Sequence, residues 1–185
     1  MVNATAFGMS GLVLPLFVWF IAIYEDYELN ESELKGIAAV EFTGFLTLFI
    51  MGLWHTIDNT FGGAVSLLFT AIPLLYGLLW LIAAIIHWYG ADMKPLGVVA
   101  LVQIPVQLLL IGGLFAVGAP ISWGVVIDLL IYAPFTLGGF YLFTHGYMMP
   151  AAKRYTGWIS LLATIATIHV MFVGSGIIGP ILPGI

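Results

Sequence analysis

Ala83-Ala84-Ile85-Ile86-His87-Trp88-Tyr89-Gly90-Ala91-Asp92-Met93-Lys94-Pro95 is the stretch from which the organisation of the whole chain follows. An apolar run ends there in a histidine and two aromatic rings. Gly90 can take the left-handed turn that other residues resist, and Pro95 suits the first turn of a new helix. Asp92 and Lys94 carry charges that hydrocarbon does not accept, so the turn lies at a membrane face and sets the direction of the spans on either side.

Outward from this turn the composition is that of an integral membrane protein. Of 185 residues, 62% are hydrophobic and 7% charged, with a mean hydropathy of +1.15; a soluble domain carries roughly 25% charged residues. Six apolar runs, at about 7–24, 36–55, 64–89, 96–118, 121–144 and 155–177, are each long enough to cross about 30 Å of hydrocarbon. None alternates as strands do, and lipid admits only helices or closed barrels. The expected fold class is therefore an all-α integral membrane protein, a six-transmembrane-helix bundle forming one domain over residues 1–185. The first run has no basic residue before it and no small-residue cleavage site after it, so it reads as a retained span and not as a signal peptide. The absence of cysteine excludes disulfides and thiolate metal sites, and no basic patch exists for nucleic acid. The one long connection, Glu25 to Lys35, holds five of the nine acidic residues and reads as a solvated loop without metal-ligand spacing.

Lys35, Lys94, Lys153 and Arg154 fall in the first, third and fifth connections, and the opposite face has no basic residue. By the positive-inside rule these connections are cytoplasmic and both termini are outside, in a cell membrane crossed several times.

The turn at 83–95, with Gly11-Leu12-Val13-Leu14 opening the first helix and Arg154-Tyr155-Thr156-Gly157-Trp158 opening the sixth, resembles the AmiS/UreI family of urea and short-chain amide channels over nearly the whole length. That family's external termini agree with the orientation read from the lysines. The resemblance implies a ring hexamer with one pore in each protomer. It places Tyr76 and Trp80 at slot-lining aromatic positions, Tyr132 and Phe135 at slot-lining tryptophan positions, and Leu14, Phe17 and Ile21 along the first-helix wall. Gly139 stands where the family has a further tryptophan, Ala163 where some members have a carboxylate, and Val40, beside Glu41, where an asparagine is typical. These departures imply a slot of different width or polarity. A second stretch, Asn59-Thr60-Phe61-Gly62, with Asn3 and Gly8, resembles the six-helix acetate uptake transporter family. Ala4 and Ala6 replace that family's opening prolines, and its termini are expected inside.

A pore for small neutral solutes needs aromatic and aliphatic walls with a few hydrogen-bonding edges, because stripping an ion of water costs far more than stripping an amide. Helical spacing puts Tyr76 and Trp80, four apart, on one face, and Tyr132 and Phe135, three apart, on another. Asp128, one turn from Tyr132, is an intramembrane carboxylate: it could bind solute at the outer mouth, hold a proton, or face the interface or a neighbouring subunit. Glu41 reads as an interfacial carboxylate near Lys35. Gln103 and Gln107 form a polar step, either interhelical glue or pore lining. His87 reads as a helix-end cap. His55 and Asp58, in an outer loop, are the pair that could sense external pH. Gly112-Gly113 and Gly138-Gly139 suit close helix contact within a bundle or between protomers.

The four histidines show no pair at one depth, which argues against a haem subunit. No nucleophile–base pair, phosphate loop or metal cluster is present, so neither an enzyme nor a cofactor is expected. Three functions remain: a passive channel for urea or short-chain amides, a proton-coupled transporter of acetate-like monocarboxylates, and a non-transporting subunit of a larger membrane complex.

Overall fold

A computed structural model describes residues 4–24, 29–119, 121–145 and 150–174. Asn3, the acidic Glu25, Asp26 and Glu28, the Lys153 side chain and positions 175–177 of the sixth apolar run lie outside the described residues. The elements are α1 (Ala4–Tyr24), α2 (Glu31–Asp58), α3 (Gly63–Tyr89), α4 (Lys94–Ala116), α5 (Trp123–Leu130), a π-helical turn (Ile131–Thr136), α6 (Leu137–Thr144) and α7 (Pro150–Gly174). Because α5, the π turn and α6 run on as one span, Trp123–Thr144, six helices among the described residues are long and apolar enough to cross a membrane. The six-helix bundle is the observed architecture.

The turn between α3 and α4 forms as its residues dictate. Gly90 adopts φ 64° and its N–H bonds Ile86 O, and the Ala91 N–H reaches the same carbonyl at 2.9 Å. Asp92 Oδ1 then accepts the Lys94 N–H at 2.9 Å, and Pro95 enters the first turn of α4.

One boundary differs from expectation. Residues Glu31 to Lys35 are the first turn of α2 and not solvated loop. Asn30 Oδ1 accepts the Glu33 N–H at 3.1 Å while Glu33 Oε2 accepts the Asn30 N–H at 2.8 Å, a capping box that satisfies two helix-end donors. Lys35 is held by Glu31 at 2.7 Å across one turn.

The helices pack in chain order, each against the next, and α7 closes back on α1, so the bundle is a ring around a filled axis. Lipid tails are as apolar as the helices, so association depends on close approach and internal hydrogen bonds. At the α1–α2 crossing a Cβ on Gly11 would collide with the Thr47 side chain, and one on Gly44 would sit 2.9 Å from Pro15 Cγ. On α7 the buried hydroxyls of Ser160, Thr164 and Thr167 each donate to the carbonyl four residues back, at 2.7–2.9 Å, leaving a narrow face without unpaired donors. Gln103 and Gln107 are glue between α4 and α3: their amides donate to Leu75 O at 2.9 Å and Ile72 O at 3.5 Å. Of the paired glycines, Gly113 and Gly139 are in contact with Leu68 and Thr156, while Gly112 and Gly138 face open space.

The α1–α2 crossing yields a test. Gly11→Val is expected to lower stability by about 1–3 kcal/mol, the usual cost of overpacking, whereas Gly112→Ala, with room for its methyl, should stay within about 0.5 kcal/mol. Unfolding of the purified protein by SDS titration in detergent measures both, and equal effects would refute the close packing at Gly11.

Candidate functional site

The axis can be followed from the end where Lys35, Lys94 and Arg154 lie, the basic face, to the opposite one. Near the basic face, α2 presents Glu41, which is fully buried. Its Oε1 accepts the Trp19 indole N–H of α1 at 2.9 Å and its Oε2 accepts His87 Nδ1–H of α3 at 2.8 Å. Glu41 is therefore not an interfacial carboxylate near Lys35, and His87 is not a helix-end cap. Both are turned inward because hydrocarbon leaves a carboxylate and an imidazole no better partner than each other. Beside them a cavity of about 360 Å³ opens among Trp19, Ile23, Leu34, Ile86, His87 and Met93.

Deeper in, rings fill the lumen. Trp19 meets Phe140 of α6 edge-on at 5.9 Å, Phe140 meets Trp80 of α3 at 5.6 Å, and one turn further Tyr76 meets Tyr132 at 5.5 Å. Leu12 and Leu16 of α1 close the remaining side, and the void left among them is only about 10 Å³. That is no more than the room one water needs, so the axis is shut here. Two donors in this constriction, Tyr76 Oη and Trp80 Nε1, are buried with no partner among the described residues. Tyr132 is anchored instead, its hydroxyl against Thr167 Oγ1 and 3.3 Å from Ala163 O.

Beyond Tyr132, Asp128 Oδ2 accepts His169 Nδ1–H of α7 at 2.5 Å. Asp128 is thus committed to a neighbouring helix within the chain. A second carboxylate–histidine pair so stands on the far side of the constriction from Glu41–His87.

Of the residues anticipated as pore lining, Tyr76, Trp80 and Tyr132 come together at the constriction, with Asp128 one turn away. Leu14, Phe17 and Ile21 lie on the outer surface of α1, at 55%, 42% and 38% exposure. The inward face of that helix is Leu12, Leu16, Trp19 and Ile23. Phe135 is also outward, at 47% exposure, because Pro134 lacks an N–H and the chain relieves it with a wider π turn, which rotates Phe135 off the Tyr132 face. Phe140 takes the inward place.

His55 is not in an outer loop. It occupies the last turn of α2, 1% exposed, beneath Phe61 and between Thr5 and Thr60 at 3.2 and 3.3 Å. Asp58 is exposed and accepts the Thr60 hydroxyl at 3.3 Å. The carboxylate–histidine pairs escaped sequence reasoning because their partners are 46 and 41 residues apart; the available signal was that four ionisable groups inside apolar runs need partners. Among the described residues no group of three or more His, Cys, Asp or Glu is placed to hold a metal.

This arrangement defines a class: a six-helix membrane protein whose ringed axis is closed by aromatic side chains between two carboxylate–histidine pairs, one buried and one partly buried. Among solved structures the chain is similar to the bacterial acetate channel SatP, with a TM-score of 0.70 and 18% identity over 100% of this chain and 99% of that one. At that identity the likeness establishes a common fold. No protein-family model matches the sequence, and no curated protein does.

His87→Leu should cost about 3–5 kcal/mol by leaving the buried Glu41 carboxylate with the Trp19 indole and no cationic partner. The double variant E41L/H87L should recover most of that loss, since no charge is then left buried. Unfolding curves of the three proteins in detergent decide it, and a double variant as unstable as the single one would show that the pair is not a coupled unit.

Proposed function

We propose that the chain is a membrane channel for a small monocarboxylic solute, acetate being the type, which moves along the axis of each protomer. The observation that carries this reading is the pair of unanswered donors, Tyr76 Oη and Trp80 Nε1, set one helical turn apart in a constriction whose other polar groups, the Tyr132 and Thr136 hydroxyls, already have partners. A carboxyl group offers oxygens to both. Urea and acetamide also bring a carbonyl, but they add N–H groups to a wall that is mostly apolar and whose Tyr132 and Thr136 hydroxyls are already bonded to the backbone carbonyls of Ala163 and Ile131. The likeness to SatP supports the acetate reading over the amide one. The uncharged acid is the form that crosses the dry section at least cost, and passage requires the ring cluster to part. The basic face is taken as cytoplasmic, with both termini outside, and the ring hexamer implied by the AmiS/UreI resemblance is the assembly proposed.

Proteoliposomes should take up acetate well above the protein-free rate and above urea and acetamide. Rapid entry of urea or acetamide with acetate at background would return the amide reading, and background rates for all three would make the chain a non-transporting subunit. Tyr76→Phe is expected to lower acetate flux about tenfold, the worth of one hydrogen bond of about 1.4 kcal/mol. Its thermal stability should be unchanged or raised, because the hydroxyl it removes has no partner in the folded chain.

A further inference from the structure

The cavity at the basic face is larger than anything the constriction could pass. Its 360 Å³ equals roughly a dozen water volumes, against about 10 Å³ between the rings. Its walls are largely aliphatic and aromatic, chiefly Ile23, Leu34, Ile86, Met93 and Phe143, and among the described residues its one ionisable lining residue is His87. Glu41 accepts from His87 Nδ1, which fixes the orientation of the ring and leaves Nε2, on the far edge, without a partner among the described residues. Glu41 is in turn held by the Trp19 indole, so this orientation is built from three helices.

We propose that this cavity is a binding site for monocarboxylic acids with longer aliphatic tails, such as butanoate and hexanoate, with the carboxyl group on His87 Nε2 and the tail along the aliphatic wall. The bond forms in either protonation state: a neutral acid donates its O–H to unprotonated Nε2, and a carboxylate accepts from protonated Nε2–H. The choice of an amphiphile follows from the described walls, which offer His87 at one end and mostly apolar side chains elsewhere. The ligand class rests on the monocarboxylate reading above. The site adds a consequence of its own: acids too long for the constriction occupy the cavity and obstruct acetate entering from the basic face.

The test uses the full chain in nanodiscs, with acetate, butanoate and hexanoate as probes, followed by calorimetry and by nitrogen-15 NMR of the histidines. Hexanoate should bind saturably and at least tenfold more tightly than acetate, since each buried methylene adds to the transfer free energy, and it should shift the Nε2 resonance of His87. His87→Gln keeps a donor for Glu41 but loses Nε2, and Ala91→Phe fills the exposed rim of the cavity without touching the pair. Each should weaken hexanoate at least tenfold. Absence of hexanoate binding to the wild-type chain, or binding unchanged in both variants, overturns the site. Acetate flux without hexanoate binding discards this cavity site and keeps the channel, whereas hexanoate binding without any acetate flux keeps the site and discards the channel.

Discussion

Inside hydrocarbon a polar group finds no water, so each one must be answered by the protein itself, and this constraint organises the bundle. Glu41 is its sharpest expression. A fully buried carboxylate on α2 is held by an indole from α1 and an imidazole from α3, and three helices are thereby fixed in rotation as well as in distance. Asp128 and His169 do the same between the fifth span and α7. Between these two ties the remaining polar side chains turn back on nearby backbone, as the α7 hydroxyls do, or reach across to a neighbouring carbonyl, as Gln103 and Gln107 do.

Against that background four buried side-chain atoms among the described residues have no partner: Gln103 Oε1, His169 Nε2, Tyr76 Oη and Trp80 Nε1. An unanswered buried donor costs about 1–3 kcal/mol, and the constriction carries two of them, on Tyr76 and Trp80, where nothing structural requires a hydroxyl or an indole. At position 76 phenylalanine would fill nearly the same volume. Their presence is the feature on which the proposed chemical preference rests. In the channel proposed above, the edge-on rings would exclude ions by offering no replacement for water, and the two donors would favour a solute that presents oxygen.

The fold was largely legible before the structure. The helix-ending Gly90, the turn charges Asp92 and Lys94 and the helix-opening Pro95 are local signals, and they acted locally. The start of α2 was misplaced, because the density of acids there disguised the capping box of Asn30 and Glu33 as a loop. The site was legible only in part. Tyr76 and Trp80 lie on a regular stretch of α3, so spacing by four places them together. Tyr132 and Phe135 straddle a π turn, where spacing by three no longer keeps residues on one face. On α1 every face is apolar, so periodicity has no contrast, and Leu14, Phe17 and Ile21 are indistinguishable in composition from the truly inward Leu12, Leu16 and Trp19.

The sequence by itself determined that the chain spans a membrane six times as helices, where those helices turn, and which ends share the basic residues, because hydropathy, capping and backbone preference act over a few neighbouring residues. Only the tertiary structure decided which face of each helix looks inward and which histidine each buried carboxylate takes. Those choices depend on partners more than forty residues away, and in a uniformly apolar chain no local energy term distinguishes a wall of the passage from a surface that meets lipid.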